Sequence, residues 1–190
     1  ERRRDRDIAA AIAAGEFPTK PDEQCPRCPF FFLCPAIPEI AVEQARAVLE
    51  PMAGKVVHCG AAGAGQAAKL CNNMVLAVQQ IAIGEAFVLA EKLGLPAQSL
   101  FDVITGATGN CWAVHTNCPV PGPVPTSPAN NDFKPGFATA LMNKDLGLAM
   151  AAVESTGSSA PLGSHAAEIY ARFAEQNAGL DFSAVISTLR

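Results

Sequence analysis

The feature of this sequence that most constrains its fold is the stretch 66–93, which contains no proline and is rich in Ala, Leu, Val and Ile. At ~1.5 Å per residue it predicts a helix about 42 Å long. Its apolar residues surround the predicted helix on nearly all sides, which is typical of the buried central helix of a bundle. The chain is therefore expected to fold around one long helix.

The rest of the sequence after residue 38 is also helical in pattern. Further helices are predicted at 39–52, 96–106, 137–155, 162–176 and 182–189, with Ser164 and Asp181 as N-caps of the last two. Residues 55–59 form at most one short strand. The predicted fold class is therefore all-α from Glu39 onward.

Composition narrows the class of protein. A chain of 190 residues that is 49% hydrophobic can bury one sizeable core, and its net charge of -4 argues against a nucleic-acid surface, which needs clustered Lys and Arg. Its apolar stretches are interrupted short of the roughly 18 residues that cross a bilayer. Seven cysteines, an odd number, indicate reduced thiols or a metal site rather than a secreted disulfide framework. These features predict a cytoplasmic protein, or a mitochondrial matrix protein in a eukaryote.

A glycine-rich turn, CGAAGAGQAAKLCNN at 59–73, precedes the long helix. Gly63, Gly65 and Ala68 fit the relaxed G-x-G-x-x-A pattern of a dinucleotide-binding βα turn. That unit requires a second strand and an acidic residue about 20 positions on. Glu85 has the spacing, but it lies inside the continuous helix. The glycines therefore predict a tight helix entry rather than a Rossmann turn.

Lys69 lies in the first turn of the predicted long helix. The helix dipole and the apolar neighbours there would both disfavour its charged form. Such a lysine is suited to exchange a proton with a substrate hydroxyl. Asn73 lies four residues on, so both side chains leave the same helix face and can converge on one ligand. The alternative left open by the pattern is a solvated surface lysine.

A long proline-rich loop lies between the predicted helices, at 109–137. A loop of this length inside a compact domain is typical of a functional or a disordered segment, and it holds the single tryptophan, Trp112. Cys111, His115 and Cys118 have a spacing that a metal could use, although an incidental grouping is commoner. Cys71, near Lys69, is predicted to be a small buried hydrophobe.

Residues 39–190 resemble the C-terminal domain of the 3-hydroxyisobutyrate dehydrogenases, members of the β-hydroxyacid dehydrogenase family. GAGQAAKLCNN matches the family signature G-x-G-x-x-x-K-x-x-x-N, NCWAVHTNCPVPG resembles its Trp-containing substrate loop, and GFATALMNKDLGLA resembles its Phe and Lys-Asp segment. The resemblance implies a 6-phosphogluconate-dehydrogenase-like helical domain built around one long central helix. It also implies a homodimer or homotetramer.

The resemblance further implies NAD-dependent oxidation of 3-hydroxyisobutyrate to methylmalonate semialdehyde, a step of valine breakdown. Lys69 would be the general acid/base, and Asn73 would orient the substrate by hydrogen bonding. Asn117 stands where relatives often carry a tyrosine, which leaves the preferred hydroxy acid open. The implied substrate-binding residues are Trp112, Asn117 and Phe137, and the implied cofactor-binding residues are Gly65, Lys144 and Asp145.

Each of these residues has a plain structural alternative. Trp112 would fill core space, which is the commoner fate of a large aromatic side chain. Lys144 and Asp145 would form a solvated charge pair of little energetic consequence. Phe137 would be a hydrophobic staple at a helix start.

The chain departs from the family pattern before residue 39. It lacks the Rossmann half that carries the dinucleotide fingerprint and the Ser-Gly-Gly substrate loop. We therefore expect the chain alone to bind NAD weakly and to turn over little substrate. The choice between NAD and NADP is made in that half and stays open.

Residues 1–38 are predicted to be a tail of different origin. Their cysteine segment resembles the C-terminal end of RecB-family nucleases attached to DNA helicases, where C-x2-C-x5-C supplies three of four thiolates to an iron-sulfur cluster. Here those thiolates would be Cys25, Cys28 and Cys34. Because the fourth is absent, a complete cluster is not expected from this chain alone, unless Cys59 or a second copy of the chain contributes the fourth thiolate. This segment leaves open the alternative of a fragment of a DNA helicase-nuclease. The long buried helix, retained without a cofactor half, leaves open the alternative of a non-catalytic helical dimerisation module.

Overall fold

The computed structural model describes residues 39–190, so the tail 1–38 and its cysteines Cys25, Cys28 and Cys34 lie outside the described residues. Within 39–190 the secondary structure consists of helices and one isolated bridge between Ala138 and Asp181, with no strand. The all-α prediction is confirmed. Residues 55–59, for which at most one short strand is predicted, have no regular structure.

Six α-helices and three 3₁₀ helices follow one another in this part of the chain. The α-helices are α1 Glu39–Leu49, α2 Ala64–Lys92, α3 Ala97–Thr105, α4 Trp112–His115, α5 Thr139–Thr156 and α6 Pro161–Asn177. The 3₁₀ helices are Glu50–Met52, Pro128–Asn130 and Phe182–Leu189.

Helix α2 is bounded by two glycines with left-handed backbone. Gly63 is its N-cap at φ 84°, a conformation that costs glycine little and other residues more. At the other end Gly94 has φ 73°, and Leu95 N donates to Ala90 O while Gly94 N donates to Glu91 O. These two bonds form a Schellman motif. These two glycines account for the tight entry predicted for the helix and for its length of 29 residues.

Helix α2 is the centre of the packing, as predicted. It packs against α3, α4, α5, α6 and the C-terminal 3₁₀ helix. Five of its buried residues contribute to two apolar clusters. The first is Ala77, Ile81, Met142, Leu146, Ala166, Tyr170, Phe173, Phe182, Ala184 and Val185. The second is Ile83, Phe87, Val88, Ala113, Val114, Cys118, Val120, Val124 and Ile186.

The burial of α2 is one-sided rather than complete. Its length and mean hydropathy of 1.5 are enough for a membrane-spanning helix, but half of that apolar window is buried inside the domain. The buried face carries Asn73 and Gln80, and it packs against other helices of the same chain. The contacts therefore indicate the core helix of a helical domain.

Of the two predicted helix caps, one is confirmed and the other is wrong. Asp181 caps Phe182–Leu189, since its carboxylate accepts from Ser183 N, although this segment is a 3₁₀ helix. Ser164 is not a cap, because α6 begins at Pro161 with Ala160 before it. Proline has a fixed φ that suits the first helical position, and here it moves the helix start before the serine.

Candidate active site

Two packed helices bring Lys69, Asn73 and Asp145 together. Lys69 and Asn73 lie one turn apart on α2, and Asp145 lies on α5. Lys69 Nζ is 3.2 Å from Asp145 Oδ2 and 3.4 Å from Oδ1. Asn73 Nδ2 donates to Asp145 Oδ2 at 2.6 Å. Two segments that the sequence singled out separately therefore form one cluster.

A second lysine completes the cluster. Lys144 Nζ lies 3.1 Å from Asp145 Oδ1, so one carboxylate lies between two ammonium groups. Burial of Asp145 raises its pKa, but the hydrogen bonds and charges of Lys144 and Lys69 outweigh burial and leave that pKa lowered. The carboxylate is therefore ionised at neutral pH, and the cluster carries one positive charge in excess when both lysines are protonated. Asp145 is 2% exposed, so the solvated-pair alternative is wrong for it.

The surroundings of Lys69 differ from those predicted. The sequence predicted apolar neighbours, whereas the Lys69 side chain is 54% exposed and pairs with a carboxylate. The reason is that the first turns of α2 are only partly covered, since none of residues 64–72 is fully buried. Cys71, on a different side of α2, is exposed as well, so its predicted burial is also wrong. The ammonium group of Lys69 is thus both anchored and accessible to a ligand.

Asn73 is buried, and most of its amide is already engaged. Asn72 Nδ2 donates to Asn73 Oδ1 at 3.2 Å, while Asn73 Nδ2 donates to Asp145. An amide nitrogen carries two hydrogens. Within residues 39–190, one Nδ2 hydrogen of Asn73 therefore has no acceptor and is available to a ligand oxygen.

Gln66 is a site residue to which the sequence reasoning gave no role. Its Oε1 is buried and accepts no hydrogen bond from the described residues. Gln66 lies three residues before Lys69 and seven before Asn73, so it lies on the same side of α2. This spacing was the signal that could have identified it. Gly65, predicted to bind cofactor, lies beside it in the first turn.

The predicted substrate residues lie in three different environments. Trp112 begins α4 and is 51% exposed, so the alternative that it fills the core is wrong. Phe137 is half-buried and contacts Phe182 edge to face, with ring centroids 5.8 Å apart. Asn117 is buried, and its Nδ2 donates to Asp181 Oδ1 at 3.1 Å. The amide of Asn117 therefore makes its hydrogen bond inside the domain rather than at an exposed surface.

The candidate metal trio is not assembled. Within residues 39–190 no three His, Cys, Asp or Glu side chains are grouped to hold a metal ion. Cys118 is fully buried while His115 is exposed. Burial raises the pKa of the Cys118 thiol against a weaker lowering by a backbone hydrogen bond from Val120. That thiol is therefore protonated at neutral pH.

This all-α architecture around one long helix defines the class, the helical C-terminal domain of the 6-phosphogluconate-dehydrogenase-like proteins. A family model described as "NAD-binding of NADP-dependent 3-hydroxyisobutyrate dehydrogenase" matches residues 63–189. The chain belongs to this 3-hydroxyisobutyrate dehydrogenase family, which confirms the resemblance found in its motifs.

Individual proteins with similar sequences are also named 3-hydroxyisobutyrate dehydrogenases. A probable 3-hydroxyisobutyrate dehydrogenase of Mycobacterium tuberculosis is 84% identical over 152 residues, which are 80% of this chain and 52% of the relative. The mitochondrial 3-hydroxyisobutyrate dehydrogenase of Drosophila melanogaster is 46% identical over 146 residues, 76% of this chain and 45% of the relative. The chain therefore spans about half the length of the curated relatives it matches.

Solved structures give the same result. The Mycobacterium tuberculosis 3-hydroxyisobutyrate dehydrogenase with L-serine has a TM-score of 0.77 at 84% identity, covering 80% of this chain and 53% of that one. The Salmonella typhimurium 3-hydroxyisobutyrate dehydrogenase has a TM-score of 0.68 at 28% identity, covering 79% and 51%. The helicase-nuclease and dimerisation-only alternatives gain no support from these relatives.

Proposed function

We propose that this chain carries the substrate-binding and proton-transferring half of an NAD-dependent 3-hydroxyisobutyrate dehydrogenase, which acts in valine breakdown. The observation that carries the proposal is the ammonium group of Lys69, held by buried Asp145 and Asn73 yet open to a ligand. The family membership supports the reaction class. An anchored but accessible lysine fits proton exchange with a substrate hydroxyl.

Lys69 would act as the general base in the oxidation direction. Its amine accepts the hydroxyl proton of the substrate, and the ammonium that forms is stabilised by the Asp145 carboxylate 3.2 Å away. In the reverse direction the same ammonium returns the proton to the carbonyl oxygen. The free Nδ2 hydrogen of Asn73 would hold the reacting oxygen beside Lys69, one helical turn away.

The charge of the cluster suits an anionic substrate. Lys69 and Lys144 share one carboxylate, so an excess positive charge faces the exposed side. A small hydroxy acid would place its own carboxylate in this field, while its apolar part would contact Trp112 and Phe137. The structure of the Mycobacterium tuberculosis relative was solved with L-serine, a small acid that carries a hydroxyl group.

The residues present also fit part of a nicotinamide cofactor. The buried Oε1 of Gln66 needs a hydrogen-bond donor, and Lys144 offers a half-exposed cation on α5, next to Asp145. Gln66, Gly65 and Lys144 would hold that part of NAD, and the rest would be held by the half of the enzyme that lies outside the match. When bound, NAD accepts the hydride of the substrate. Asp145, predicted to bind the cofactor, would instead orient Lys69.

The test is to join residues 39–190 to the part of the Mycobacterium tuberculosis relative outside the match, and to measure NADH formation with 3-hydroxyisobutyrate. The joined protein should be active, and Lys69→Ala should lower kcat by about 10²–10⁴-fold. Lys92→Ala, an exposed lysine in the last turn of α2, is the matched control and should keep full activity. A folded joined protein without activity, or an active Lys69→Ala variant, would contradict the proposal.

We also propose that the protein assembles as a homodimer or homotetramer in the cytoplasm. Support comes from the outward side of α2 and its end, where Leu89 and Leu93 are 59% and 75% exposed. Sedimentation of the chain should give at least a dimer. Leu89→Glu should reduce the assembled mass, whereas the same change at exposed Leu162 on α6 should not. A monomeric wild type would contradict this assembly.

A further inference from the structure

Asp181 ties several segments of the domain to one buried carboxylate. It is 1% exposed, and each of its oxygens accepts from more than one donor. Oδ1 accepts from Asn117 Nδ2 at 3.1 Å, from Ser183 N at 3.0 Å and from Ser183 Oγ at 2.7 Å. Oδ2 accepts from Gly136 N at 3.0 Å and Phe137 N at 3.1 Å. All five donors are neutral.

These donors come from three different places in the chain. Ser183 belongs to the 3₁₀ helix that Asp181 begins, and its two bonds amount to ordinary capping. Gly136 and Phe137 end the long loop just before α5, the helix that carries Lys144 and Asp145. Asn117 follows α4, which begins at Trp112. A cap alone would need only the contact with Ser183.

Backbone bonds reinforce the same junction. Asp181 N donates to Phe133 O at 2.8 Å, and Phe182 N donates to Phe137 O at 3.0 Å. The junction also reaches α2, because Gln80 Nε2 donates to Asn117 O at 3.3 Å. Gln80 lies two turns beyond Asn73 and, like it, is on the buried face of α2. Asp181 thus links the Trp112 segment, the Phe137 segment and the helix that carries Lys69.

We propose that Asp181 is a positioning residue, which fixes the Trp112 and Phe137 segments relative to Lys69 and thereby sets the shape of the substrate pocket. This inference rests on the proposed function. Asp181 contacts no reacting atom. Asp181 would instead affect the binding of the hydroxy acid, because small displacements of the groups that position a substrate have large effects.

The decisive substitution is Asp181→Asn, which keeps the shape but replaces one acceptor oxygen with a donor nitrogen among N–H groups. Ser183→Ala is the matched control, because it removes a hydrogen bond from the same carboxylate and leaves the ties to Asn117, Gly136 and Phe137. Asn117→Ala is the second variant if Asp181→Asn fails to fold, because it cuts only the tie to the Trp112 segment.

The first readout needs no activity and uses the full chain. Trp112 is the only tryptophan, so acrylamide quenching of its fluorescence reports its segment alone. Asp181→Asn and Asn117→Ala should each raise the quenching constant by about twofold while the helical circular dichroism is retained, and Ser183→Ala should not. If only the unfolding midpoint moves and quenching stays the same, Asp181 is merely a cap and the proposal is overturned.

The second readout uses the joined dehydrogenase described above. Asp181→Asn should raise KM for the hydroxy acid on the order of tenfold, with kcat and KM for NAD within about twofold of wild type. A loss of folded enzyme alone would lower kcat and leave KM unchanged, which would count against positioning. If the joined wild type has no activity, the proposed function fails, and the quenching result still decides whether Asp181 holds the Trp112 segment.

Discussion

Asn73 Nδ2 donates a 2.6 Å hydrogen bond to Asp145 Oδ2 and so joins α2 to α5 where Lys69 meets the same carboxylate. Both partners are buried, and hydrogen bonds to an ionised acceptor are among the stronger ones in proteins. The orientation of Lys69 is therefore set by an atom that belongs to a second helix. The consequences of removing that atom can be measured.

Asp145→Ala should destabilise the domain by about 1–3 kcal/mol, because it leaves the buried amide of Asn73 without its acceptor. The two lysines add little to this cost, since about half of each side chain is exposed and can be rehydrated. Urea unfolding followed by circular dichroism measures the change. Asp102→Ala, an exposed carboxylate on α3, should stay within about 0.5 kcal/mol of wild type. Equal stability of the two variants would contradict the anchoring role.

The stability of the domain at acidic pH should depend on the ionisation of Asp145. Its pKa in the folded domain lies below the usual 3.8, since the lysine contacts outweigh burial. The stabilisation is therefore complete above pH 3.8 and is lost as the pH falls through the lower folded value. The difference in unfolding free energy between wild type and Asp145→Asn should be constant at neutral and mildly acidic pH, then shrink below pH 3.8. A difference that instead grows on acidification would have the wrong sign.

Gly163 on α6 lies at a close contact between this helix and two others. A Cβ added there would lie 2.6 Å from Met74 Sδ and 3.2 Å from Met150 Cε, so α6 approaches both α2 and α5 at this position. Gly163→Ala should destabilise by about 1–3 kcal/mol through overpacking. Gly147→Ala on α5, where a Cβ meets nothing within 4 Å, should instead stabilise by about 0.5–1 kcal/mol. The opposite signs, measured by urea unfolding, test the packing; two stabilising changes would contradict it.

The structural features that the sequence predicted correctly depend on residues that lie close together in the chain. Helix α2 follows from a proline-free apolar stretch between glycines, and the pairing of Lys69 with Asn73 follows from a spacing of four. Asp181 was predicted as a cap because capping needs only the next few residues. Its other ties join residues 44 to 64 positions apart, and no local pattern encodes them.

The errors also have one physical origin. The apolar residues of α2 are distributed so evenly that periodicity did not show which side the other helices cover. Lys69 and Cys71 were consequently placed in apolar surroundings, although both face outward. The Asp145 anchor was missed because it is 76 residues from Lys69 and depends on how α5 packs against α2. Asp145 had instead been assigned to the cofactor through the family resemblance.

Tyr170 provides a spectroscopic test of the core beside Asp181. It is the only tyrosine, it is fully buried, and its hydroxyl donates to Phe182 O at 3.1 Å. Burial raises its pKa well above the usual 10.0, and the charge of Asp181 raises it further. The stability linked to this group is therefore present below pH 10.0 and is lost as the pH rises towards the folded value. The ultraviolet absorbance of phenolate should remain absent at pH 10 and develop only in one cooperative step, together with the loss of circular dichroism.

In urea the same tyrosine should titrate near its usual pKa, and Tyr170→Phe should abolish the signal. Phenolate that forms near pH 10 in a domain that keeps its helical spectrum would show that the Tyr170 hydroxyl is open to solvent, contrary to this packing.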